Sequence, residues 1–214
     1  MPNSSINYNP STQKYQVNFA QKTIETTVTD KGSVIDAWVR DITASSSNGP
    51  TPNVVGLDIE WRPHPIRSMS NKTATLQLCI DTKCLIVQLF YVDYIPHSLR
   101  DFLSSLDFVF VGVEVADDAT KLRTEYGLEC GRTEDVRAAA MRRWPYRFRR
   151  PGLKDLASEV VGLRMNKTKR VTLSDWQARI LTEEQVQYAC IDAYASYRLG
   201  CAATLTMQKE QSAS

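Results

Sequence analysis

The octapeptide Val54-Val55-Gly56-Leu57-Asp58-Ile59-Glu60-Trp61 constrains this chain more than any other stretch. Its apolar run reads as a strand, yet it carries two carboxylates two residues apart. Strand side chains alternate between faces, so Asp58 and Glu60 project from the same side. Neighbouring acids repel and resist burial unless a positive group sits between them, and hard divalent cations prefer such oxygen ligands. A strand with one solvated face is the plain alternative. Two further acids, Asp118 and Asp192, bear on the choice.

Three apolar runs look like neighbours of this strand. Thr73–Ile80 and Cys84–Phe90 form a hairpin about a turn at Asp81-Thr82-Lys83, and Phe108–Val115 is apolar on both faces, as a covered central strand is. An earlier hairpin joins Tyr15–Phe19 to Thr23–Val28. Thr133–Val136 suits a short edge strand. Helices are expected from Ser33, with Val34, Ile35, Trp38, Val39 and Ile42 inward, and from Ser98 to Leu106, with Leu99, Phe102, Leu103 and Leu106 inward. A third follows Asp117-Asp118, whose acids suit a helix N-terminus, and ends at Gly127. A fourth carries Leu153, Leu156, Ala157 and Val160 and stops at Gly162. The last opens at Thr182-Glu-Glu-Gln185, a capping box. Strands in meander, then alternating strand and helix, predict an α/β fold: one mixed sheet flanked by helices.

At 214 residues the chain fits one domain, with 43% hydrophobic and 23% charged residues. We read residues 14–207 as that domain, with polar, mobile tails at 1–13 and 208–214. A net charge of +2 is too mild to mark a nucleic-acid binder, so any basic surface must be local. The five cysteines show no metal-ligand spacing and read as reduced thiols, Cys79 and Cys84 included although they flank the hairpin turn. With no signal peptide and no run of membrane-spanning length, the expectation is a cytoplasmic or nuclear protein without a membrane partner.

Asp118 stands where an apolar strand gives way to a helix, the kind of place where α/β sheets bind ligands. Tyr188 and Asp192 are four apart on the last helix and share a face. Asp118 alone reads equally as a helix cap, and Asp192 alone as part of a solvated face; as a set the four acids can converge. Carboxylates without zinc-type His or Cys spacing favour Mg²⁺ or Mn²⁺, and two such ions about 4 Å apart promote phosphodiester hydrolysis.

These residues carry a resemblance. Leu57-Asp58-Ile-Glu60-Trp61, Val111-Gly-Val-Glu-Val-Ala-Asp-Asp118-Ala-Thr-Lys121-Leu122 and Tyr188-Ala-Cys-Ile-Asp192-Ala-Tyr-Ala195 resemble the three motifs of the DnaQ-like DEDD exonucleases, in order over 53–204. The Tyr-x-x-x-Asp form marks the DEDDy branch; Gln187 stands where the other branch has histidine. Ser174-Asp-Trp176 and Leu181–Tyr188 are similar to the Werner-type exonuclease domain. The chain also resembles the stand-alone plant Werner-like proteins, including the RISC-interacting clearing exoribonucleases. The resemblance implies a ribonuclease H-like sheet of five strands in the order 3-2-1-4-5. It implies 3′→5′ hydrolysis of single-stranded nucleic acid, with short RNA favoured over DNA. Asp58, Glu60, Asp118 and Asp192 would hold two Mg²⁺ or Mn²⁺ ions, and Tyr188 would orient the attacking water. Glu114 and Asp117 stand where the family has glycine. That departure keeps an alternative open: a weak or inactive nucleic-acid-binding scaffold of the same fold.

Arg142–Pro151 holds five arginines and three aromatics in ten residues. Arginines neutralise phosphates and aromatics stack on unpaired bases, but the same residue types are enriched at protein interfaces. Trp61, Arg147, Arg149 and Arg150 are therefore candidate substrate contacts, with Lys167, Lys169 and Arg170 extending the surface. A homo-oligomer is the matching assembly. The resemblance implies a hexameric ring, with RNA-silencing proteins as further partners.

Overall fold

The computed structural model describes residues 4–46, 53–66, 69–166 and 168–211, with side chains as far as 203. The chain opens on three antiparallel strands, β1 (Ser5–Asn9), β2 (Lys14–Phe19) and β3 (Lys22–Thr29). β2 turns into β3 through Ala20 and Gln21 alone, both at positive φ (49° and 63°), the backbone that a two-residue hairpin requires. Then come α1 (Gly32–Ser45), β4 (Asn53–Glu60), β5 (Thr75–Ile80), β6 (Lys83–Val87), α2 (His97–Ser104) and β7 (Phe108–Gly112). The rest is α3 (Val115–Tyr126), β8 (Thr133–Asp135), α4 (Val136–Arg143), α5 (Leu153–Val161), α6 (Lys169–Thr172) and α7 (Glu183–Gln211).

The strands form one sheet in the order β1-β2-β3-β6-β5-β4-β7-β8. Its β6-β5-β4-β7-β8 part is the expected 3-2-1-4-5 arrangement. The sheet has eight strands rather than five because β3 pairs in parallel with β6. That pairing removes an open edge at β6 and buries Val17, Phe19 and Ile24.

Alternation along β4 sorts the molecule into three layers. Val55, Leu57 and Ile59 pack with α1 and α2, around Ile35, Trp38, Leu99 and Phe102. Val54 lies on the opposite face, where Leu156, Ala189, Ala193 and Leu199 of α5 and α7 cover the sheet. Asp58 and Glu60 share that second face. β7 is buried on both sides, as its pattern predicted.

Several expectations are corrected. Residues 5–9 belong to β1 rather than to a tail, and α7 continues to Gln211, with 212–214 outside the described residues. α1 starts ahead of Ser33 because Asp93 accepts the Gly32 N–H at 2.8 Å. Val34 and Leu106 are 39% and 67% exposed rather than core. Of the final strand residues expected at 113–115, Val113 and Glu114 are instead the turn into α3 and Val115 is its first residue. Cys79 and Cys84 are register partners, buried and free. Among the described residues no helix is long and apolar enough to cross a membrane.

Candidate active site

α7 reaches β4 because Gly56 has no side chain. A Cβ there would stand 1.9 Å from the Ala193 carbonyl oxygen and 2.6 Å from the Tyr197 nitrogen. The helix backbone therefore touches the strand, and Asp192, next to Ala193, comes down beside Asp58. Carboxylate oxygens of Asp58, Glu60 and Asp192 lie within 4.8 Å of one another. Asp192 is 2% exposed, while the two strand acids are half-buried.

The second motif arrives from the next strand. β7 ends at Gly112, and Glu114 turns the chain at φ 61° into α3. Asp135 at the end of β8 accepts the Glu114 N–H at 2.6 Å, which fixes the turn. In the first turn of α3, Asp117 is exposed and Asp118 is half-buried. Burial first, then the charges of Asp58, Asp117 and Glu114, raise the Asp118 carboxyl to about 8. Asp118 thus borders Asp58, although it lies outside the group of three that closes within 4.8 Å. The Glu114 carboxylate points the other way, 2.7 Å from Arg137 and 3.5 Å from Arg150. Arg137 holds its pKa below the usual range.

Tyr188 sits one helical turn before Asp192, buried, with its ring 6.0 Å from that of Trp176. The Thr172 hydroxyl donates to the Tyr188 hydroxyl at 3.5 Å. The predicted capping box is present: Thr182 Oγ1 accepts the Gln185 N–H at 3.2 Å, and Gln185 Oε1 accepts that of Thr182 at 2.9 Å. Gln185 also donates to Ser174 at 2.9 Å, tying the Ser174–Trp176 loop to the helix. Tyr188 and Asp192 open into a pocket of about 160 Å³ whose wall includes Ser4, Arg170, Glu184 and Gln187.

The other candidate contacts are spread more widely. Trp61 follows Glu60 and lies half-buried, with the Lys121 ammonium 4.9 Å from its ring centre. Arg147 reaches back to Glu159 at 2.9 Å and covers Trp144 and Phe148, which pack against the chain's own core. Arg150 approaches the α3 turn through Glu114, and Arg149 is exposed. Lys167 falls outside the described residues. Arg170, expected only to extend a basic surface, lines the pocket itself. Gly56, Thr172, Glu184 and Ser4 had no local signal, because their roles come from contacts between distant segments.

An all-oxygen donor set of three clustered carboxylates, with a fourth whose ionisation its neighbours oppose, fits a hard divalent cation such as Mg²⁺ or Mn²⁺. Asp58, Glu60 and Asp192 would hold it, with Asp118 alongside.

A sheet with this core order, helices on both faces and acids on its central strand is the ribonuclease H-like fold. Residues 28–205 match the 3′-5′ exonuclease family, and the chain belongs to it. A 3′-5′ exonuclease of Arabidopsis thaliana is 35% identical over 153 residues, covering 68% of this chain and 50% of that protein. Human exonuclease 3′-5′ domain-containing protein 2 is 33% identical over 152 residues, covering 68% of this chain and 24% of its own. The mouse bifunctional 3′-5′ exonuclease/ATP-dependent helicase WRN is 28% identical over 162 residues, covering 72% and 11%. The chain thus spans half or less of these relatives. Two solved structures share the fold. Escherichia coli RNase D has a TM-score of 0.67 at 19% identity, covering 88% of this chain and 46% of its own. The Aedes aegypti Nibbler EXO domain has 0.69 at 15%, covering 87% and 90%.

Proposed function

We propose that the chain is a metal-dependent 3′→5′ exonuclease acting on single-stranded nucleic acid. The observation that carries this reading is the convergence of Asp58, Glu60 and Asp192 within 4.8 Å, with Tyr188 one turn away on the same helix. Asp58, Glu60 and Asp192, with Asp118 beside them, would bind two Mg²⁺ or Mn²⁺ ions. Such ions stabilise charge on a phosphodiester in the transition state and acidify water. The Tyr188 hydroxyl, steadied by Thr172, would orient the attacking water. Trp61, at the end of the acidic strand, would position the terminal nucleotide, and Arg149 and Arg150 the strand leading to it. RNA is the preferred substrate on the resemblance to stand-alone plant proteins. A hexameric ring with 142–150 at the subunit boundary is the assembly we assign, in the cytoplasm or nucleus, with RNA-silencing proteins as candidate partners.

Asp58→Ala and Asp192→Ala test the reading. Each is expected to cut nucleotide release from a single-stranded oligonucleotide by about 100-fold or more in Mg²⁺ or Mn²⁺. Both variants should keep the fold, because each takes one negative charge out of a cluster of like charges. Full activity in either variant would overturn the assignment. Wild-type binding without shortening would favour the scaffold reading that Glu114 and Asp117 suggest.

A further inference from the structure

The pocket in front of Tyr188 and Asp192 is unbalanced in charge. Asp192 and Glu184 both line it, and Arg170 is the one cationic side chain among its described lining residues. A nucleic-acid strand brings one phosphate per nucleotide, and phosphate against carboxylates alone is repelled. Arg170 Nη2 donates to both carboxylate oxygens of Glu184, a contact that uses one of the three guanidinium nitrogens. The two side chains are 75% and 55% exposed, so water competes for the pair and a better anion can displace it. A phosphate is such an anion, because a guanidinium fork matches its geometry. Arg170 also stands on α6, the same short helix whose Thr172 touches the Tyr188 hydroxyl.

We propose that Arg170 is a phosphate-binding residue for the 3′-terminal nucleotides of the strand, and that Glu184 holds it until substrate displaces the pair. The proposal rests on the exonuclease reading and adds to it a binding residue and its restraint. A pair that merely pinned α6 to α7 would behave differently, because losing either partner would then have the same effect.

The experiment is steady-state kinetics on a 5′-labelled single-stranded oligonucleotide, with anisotropy binding of the same probe. Arg170→Ala is expected to raise KM roughly tenfold while kcat moves less than about twofold. It should also flatten the salt dependence of binding, and Arg170→Lys should recover part of the loss. Glu184→Gln is expected to lower KM. An unchanged KM and affinity in Arg170→Ala would overturn the proposal. So would Glu184→Gln and Arg170→Ala raising KM together. A wild type that binds but does not cut would remove the exonuclease reading, and the anisotropy arm would still decide Arg170.

Discussion

Asp118 concentrates the electrostatic cost of the site. Its carboxyl is raised from 3.8 to about 8, so the folded chain holds this proton more tightly than the unfolded chain does. Stability that this group contributes at low pH is therefore lost as pH rises between about 4 and 8. Glu114, Asp41, Asp93 and Glu125 are shifted down, so the stability they contribute is lost at still lower pH. In EDTA the melting temperature is expected to fall from pH 5 to 8. Asp118→Asn should flatten that slope, and Mn²⁺ should restore stability at pH 8 by binding the folded state. A melting temperature that rises with pH in EDTA would contradict the account. The shared face of Asp58 and Glu60 and the one-turn spacing of Tyr188 and Asp192 were legible because strand alternation and the i,i+4 relation act locally. The outward turn of Glu114 was not, since Arg137 and Arg150 reach it from other segments.

At the level of elements, α7 lies against β4 only because Gly56 leaves room. Gly56→Ala would drive a methyl group into helix backbone, at a cost of about 3 kcal/mol, measurable by urea denaturation. A loss under about 0.5 kcal/mol would show that the helix is less tightly seated. The α3 turn gives a finer test. Glu114 holds a left-handed φ of 61° that glycine adopts freely. Glu114→Gly is expected to be more stable than Glu114→Ala by about 1 kcal/mol, since both lose the arginine pairs and only alanine keeps the strain. Equal stabilities would rule out backbone strain at this turn. β4, β7, α5 and α7 were visible in the sequence through their periodicity and stop signals. α4 and α6 were not: α6 is a single turn, and α4 buries only Val136 and Ala140. β1 was hidden by its polar residues, most of which face solvent.

For the whole molecule, the sheet core was readable because β4, the β7–α3 junction and α7 carry the family's three motifs in order, and the β2–β3 hairpin by its alternation, while β1 and the docking of this extension onto β6 depend on pairing between distant segments. The arginine-rich segment reads differently once folded. Trp144 and Phe148 pack on the chain's own core, so alanine there would damage the subunit itself. Tyr146 is 100% exposed and is the better probe of an interface. Sedimentation is expected to show a particle several times the 24.2 kDa chain, and Tyr146→Ala to shift it towards smaller species. A wild-type monomer would end the ring assignment without touching the site. The site itself is tested most directly by the direction and metal dependence of cleavage. With Mg²⁺ or Mn²⁺, a 5′-labelled single-stranded oligonucleotide should shorten stepwise into a ladder, a 3′-labelled one should release labelled mononucleotide from the first turnover, and excess EDTA should stop both. Shortening from the 5′ end, internal cuts, or undiminished cleavage in EDTA would contradict the account.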